Sequence, residues 1–128
     1  MKLDGLKMAA DLGTTIQQIM QLDPSIVAVT AINATGVILM QTENWDLSND
    51  IAGILSVWQG GGSLSIQGIK YLILEAVPER LIGTNVQGQG HIVGLKIGTG
   101  AIIAYVSPQG EPRSALTAMI QITRGLRI

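Results

Sequence analysis

Within 128 residues the apolar positions of this chain run through five blocks in a fixed order, and few folds accommodate that order. A helical period comes first, then two short stretches of β-period, a second helical period, a crowded run of β-period segments, and a final helical period. Globular domains usually hold about 100–150 residues, so one domain spanning 1–128 is expected. The composition is 47% hydrophobic, which is ample for a buried core.

From Leu6 to Leu22, residues Ala9, Leu12, Ile16, Ile19 and Met20 recur at three- and four-residue spacings, the period of one helix face. Asp23-Pro24 ends that segment. Ile26 to Ala34 is rich in Val, Ile and Thr, and Asn33-Ala34-Thr35-Gly36 offers the Asn and Gly that a tight reversal needs before Val37 to Thr42 returns. A hairpin is predicted. Beyond Trp45, Ser48 is read as an N-cap, with Ile51, Ile54, Leu55 and Trp58 on one face of a second helix. Each glycine in a helix costs about 1 kcal/mol relative to alanine, so Gly60-Gly61-Gly62 must break it.

Tyr71 to Val77 is apolar on both alternating faces except at Glu75, and Pro78-Glu79-Arg80 turns the chain into Leu81 to Gln87. Gly88-Gln89-Gly90, then Thr99-Gly100, separate His91 to Ile97 from Ala101 to Val106. Pro112 suits the first turn of a third helix. Its face carries Leu116, Met119, Ile120 and Thr123, it ends near Gly125, and Arg124 and Arg127 complement its dipole. The sum is an α+β fold: a mostly antiparallel sheet of about five strands flanked by three helices, the first and third on one side and the second on the other.

Chemistry is mostly excluded. Eight basic and nine acidic residues leave a net charge of -1, which gives no field towards nucleic acid. No Cys is present, so there are no disulfides, thiolate nucleophiles or thiolate metal sites. Asp4 and Lys7 fall where a signal peptide needs apolar residues, and no stretch approaches the ~18 apolar residues of a membrane span, so a cytoplasmic protein without membrane insertion is expected. His91 is the only histidine, and a structural role suits it better than ligation. Gly88-Gln89-Gly90-His91 joins two strands, whereas a phosphate-binding glycine loop joins a strand to a helix, and no Gly-Lys pair exists for a Walker A loop. Glu75 and Glu79 flank a turn next to Arg80 and read as surface charges rather than an acid/base pair. No catalytic residue, cofactor or metal is assigned.

The arrangement helix, hairpin, helix, meander, helix, with the Asn33 to Gly36 turn inside a Val/Ile-rich hairpin, resembles the Roadblock/LC7 family over nearly the whole chain. The stretch Tyr71 to Val106 holds about one strand more than that family's meander. The resemblance implies a non-enzymatic dimeric scaffold that binds a Ras-like small GTPase or a larger complex. Pairing through an edge strand and the second helix would make a homodimer, or a heterodimer with a paralogue, with Trp58, Ile51, Leu55, Tyr71, Ile73 and Glu75 at its interface. A second reading is a small-molecule-sensing module of profilin-like or PAS-like type, with a ligand held between sheet and helix.

Overall fold

The computed structural model describes residues 2–126 and 128, with side chains from Leu12 onward. Among these residues the order is α1 (Lys2–Leu22), β1 (Ile26–Ile32), β2 (Ile38–Gln41), α2 (Ile51–Gly60), β3 (Ser63–Ile66), β4 (Ile69–Val77), β5 (Arg80–Thr84), β6 (His91–Ile97), β7 (Gly100–Val106) and α3 (Pro112–Thr123). The strands form one antiparallel sheet ordered β2-β1-β7-β6-β5-β4-β3. Each β-strand hands over to its neighbour through a turn except where α2 intervenes, so β3 to β7 meander back across the sheet to reach β1.

Helices α1 and α3 pack together on one face and α2 covers the other. Under α1 and α3 lie Val29, Ala31, Val93, Leu95, Ile102, Ala104 and Val106; under α2 lie Ile32, Leu64, Ile66, Tyr71, Leu81, Ile92 and Ile103. The central strands are covered on both sides, and that is why β7 reads Ala-Ile-Ile-Ala with almost no polar interruption. Trp58 anchors α2 by donating its indole N–H to the carbonyl of Val77 at 2.7 Å. Beneath the same ring is Gly94. A Cβ there would stand 2.9 Å from Trp58 Cη2, so only a residue without a side chain lets the indole approach β6 this closely.

The Asn33 to Gly36 reversal forms as the sequence predicts: Asn33 Oδ1 accepts from the backbone N–H groups of Thr35 and Val37, both at 3.0 Å, and Gly36 takes φ +85°. Helix α3 begins at Pro112, where the Glu111 carboxylate accepts from the N–H groups of Arg113 (3.1 Å) and Ser114 (2.8 Å). Those two bonds hold the Glu111 carboxyl below the usual glutamate range.

Several expectations are corrected. The sheet has seven strands among the described residues, not about five. Strand β3 follows the triple glycine directly, and β5 stops at Thr84 because Asn85 gathers the next residues into a loop. Asp50, not Ser48, is the N-cap of α2; the Ser48 hydroxyl and N–H both turn back to Asp46 Oδ1. The side chain of Ala9, and Arg127, lie outside the described residues.

The largest correction concerns β4. It is flanked by β3 and β5, so neither of its edges is free to pair with a second copy of the chain. Of the six residues placed at a dimer interface, Tyr71, Trp58 and Ile51 are buried in the core beneath α2, and Leu55 and Ile73 pack against it half-buried. Glu75 lies on the opposite face. They do not make one surface.

Candidate functional site: an uncovered half-sheet

Helix α3 lies over β6 and α1 over β1 and β2, and Ile82 of β5 is still buried in their core; the outer face of β4 and the end of β5 lie beyond that apolar cover. On that side the sheet therefore continues past its helical cover. The cross-strand pairs Leu72 with Thr84, Glu75 with Ile82, and Thr84 with His91 put these side chains on the same side of the sheet; Ile82 is buried at the edge of the helical cover, and Leu72, Glu75, Thr84 and His91 stand beyond it. Lys70 and Ser63 share that side through the same alternation.

Apolar residues stand on this face without cover. Leu72 is 50% exposed, and Leu74, where a β-bulge shifts the register between Ile73 and Glu75, is 57% exposed. Tyr71, one residue away but facing α2, is 1% exposed. Beside them, at the tip of the β5–β6 loop, Val86 is 79% exposed. Asn85 holds that loop in place: its amide donates to the carbonyl of Lys70 at 2.8 Å, and its oxygen accepts from the N–H groups of Gln87 and Gln89. Tyr105 ties the far side of the loop down, donating its hydroxyl to the carbonyl of Gln89 at 2.7 Å. A shallow depression of about 410 Å³ opens between Lys70, Leu72 and this loop.

Charged groups border the apolar centre. Glu75 receives a hydrogen bond from Arg80 on the neighbouring strand and another from Arg113 of α3 at 3.2 Å. The Arg80 bond is the main reason its carboxyl lies below the usual glutamate range; partial burial opposes it and Arg113 adds to it. Nearer α3, His91 Nδ1 and Thr84 Oγ1 share a hydrogen bond of 2.8 Å. Lys70, Arg80 and Arg113 outnumber the carboxylates of Glu75 and Glu111, so the border favours an acidic counterpart.

An apolar centre with a polar border is the anatomy of a protein-docking surface. It has no concave catalytic constellation, and among the described residues no three His, Asp or Glu side chains converge as metal ligands would. No helix among the described residues is long and apolar enough to cross a membrane. Of the residues singled out from the sequence, Glu75 and His91 belong to this face, whereas Trp58, Ile51 and Tyr71 are core residues. Leu72, Leu74, Val86 and Arg113 were missed. The signal for the first two is present, since an apolar residue on both faces of β4 implies cover on both faces, which the sequence alone reads as a second copy of the chain.

No family model matches the chain. It is 43% identical over 112 residues to Loki profilin-1 of Lokiarchaeum sp. (strain GC14_75), covering 79% of this chain and 84% of that protein. It is likewise 43% identical over 102 residues to Odin profilin of Odinarchaeota yellowstonii (strain LCB_4), covering 78% and 82%. Among solved structures, the complex of LokiProfilin2 with rabbit actin superposes with a TM-score of 0.83 at 38% identity, over 90% of this chain and 94% of that one. These relatives overturn the Roadblock/LC7 resemblance. The Ras-like GTPase partner and the homo- or heterodimer fall with it, since the neighbouring structure pairs its chain with actin.

Proposed function

The chain belongs to the profilin family, and from that premise we propose that it binds actin through the uncovered half-sheet of β4 and β5 together with the start of α3. Members of that family act by binding, and this chain is not an enzyme. The observation that carries the reading is the exposure of Leu72 and Leu74 on a sheet face that no helix covers. A standard interface removes about 800 Å² from each partner, with its binding energy concentrated in a few central residues. Leu72, Leu74 and Val86 form such a centre. Around it Lys70, Arg80 and Arg113 set the orientation and the encounter rate. The alternation of β4 serves both ends: its inner residues hold α2 to the sheet and its outer residues are left for the partner.

The whole of 1–128 acts as one domain in this reading, since the sheet runs without interruption from β2 to β3 and α3 closes back on β6. A cytoplasmic location goes with an actin partner. Sedimentation velocity of the chain mixed with monomeric rabbit actin tests the proposal. A one-to-one complex at micromolar concentration is expected, and two independent boundaries at tens of micromolar would refute it.

A further inference from the structure

A second cavity lies on the opposite face of the sheet, and nothing in the proposed actin contact uses it. It is a cleft of about 390 Å³ between α2 and the ends of the strands. Ile32, Ala76 and Ala101 form its sheet side, Leu55 and Trp58 its helix side. We propose that this cleft binds a small amphipathic carboxylate, with its apolar body between Trp58 and the sheet and its acid group at Lys96.

The volume falls in the range of small-molecule sites, about 300–1,000 Å³. Trp58 cannot move to fill it, because its indole is hydrogen-bonded to the Val77 carbonyl and seated on Gly94. The rim supplies the sign of the ligand's charge. Among the described residues Lys96 is the one charged residue lining the cleft; its ammonium lies 3.4 Å from the carbonyl of Thr99 and makes no ion pair with any of them. Glu79 meets Lys96 through backbone, the Lys96 N–H donating to the Glu79 carbonyl at 2.9 Å, and no ion pair joins their side chains. The end of α2 contributes roughly half a negative charge, less than the full positive charge of Lys96. Gln59 adds an amide at the same rim.

A peptide is a poorer occupant. The strands that line the cleft, β1, β4, β6 and β7, each have neighbours on both sides, so no sheet edge is open there for a strand to add to. A compact molecule needs only the walls and the cation.

The test is a titration of the isotopically labelled chain with decanoate, decanol and decyltrimethylammonium, followed by amide and indole N–H shifts. Decanoate is expected to bind saturably and to shift the Trp58 indole N–H, Thr99 and Gly100. Lys96→Met, an exposed change that leaves the fold intact, is expected to weaken decanoate at least tenfold and leave decanol unchanged. Ala76→Phe fills the cleft while keeping Lys96 and is expected to remove binding of all three. Equal affinity for decanoate and decyltrimethylammonium would overturn the proposal. So would shifts centred on Leu72 and Leu74, or the absence of saturable decanoate binding at millimolar concentration.

Discussion

Arg113, in the first turn of α3, reaches 38 residues back along the chain to place its guanidinium 3.2 Å from Glu75 on β4. The contact joins the covered and uncovered parts of one sheet face. Both partners touch solvent, with side-chain exposures of 64% for Arg113 and 20% for Glu75, so the pair adds little stability. Its value lies in where it holds a positive charge.

Arg113→Glu is therefore expected to change unfolding free energy by no more than about 1 kcal/mol. It sets two acids side by side at the border of the docking face, and actin affinity should fall by about tenfold or more, equivalent to ~1.4 kcal/mol. Denaturant unfolding and a binding isotherm on the same preparation check both halves. Unchanged affinity would remove α3 from the contact.

Two residues on opposite faces of β4 should give opposite results. Leu74→Lys, on the uncovered face, should shift stability by no more than about 0.5 kcal/mol while weakening actin binding by about 2 kcal/mol, roughly thirtyfold. Tyr71→Lys puts a charge under α2 and should abolish the cooperative thermal transition. Circular dichroism melts and binding measurements separate loss of partner from loss of fold.

Gly94→Ala should destabilise the chain by about 1–3 kcal/mol, because the added methyl meets Trp58 at 2.9 Å and Trp58 is held on its other side by the Val77 carbonyl. In the Trp58→Phe background the smaller ring vacates that space, and the same substitution should cost less. A double-mutant cycle with purely additive costs would contradict the close packing.

Asp46, Glu75 and Glu111 all have carboxyls held below the usual range, chiefly by hydrogen bonds from Ser48, Arg80 and the Arg113 backbone respectively. A carboxyl whose folded pKa lies below its unfolded value stabilises the fold at pH values above the unfolded value. That stability is lost as pH falls through the folded one. The melting temperature should accordingly be flat between pH 7 and 5 and decline below about pH 4, the ordinary carboxylate range. Glu111→Gln should flatten part of the acid decline. A chain whose stability rises on acidification would contradict these bonds.

The helices and the hairpin were legible because each rests on local chemistry. Pro112 at a first turn, Asn33 and Gly36 at a reversal, and the spacing of Ile51, Ile54 and Trp58 act within a few residues of themselves. Strand β3 was not legible: four residues, Ser63-Leu64-Ser65-Ile66, alternate perfectly but are too few to outweigh the glycines before them. The family was missed for a related reason. Three helices on an antiparallel sheet suit several families, and the element order does not say which strand is an edge. With β4 read as an edge, its apolar outer residues pointed to a second copy of the chain. With β3 in place beside it, the same residues mark a face turned outward.

Hydrogen exchange of the chain with and without monomeric actin tests the location of the contact most directly. Complex formation should slow exchange in 69–77, in the 85–90 loop and at the start of α3, and leave α2 and the β1–β2 turn unchanged. Protection confined to α2 and that turn would contradict the assignment of the uncovered half-sheet as the actin-binding face.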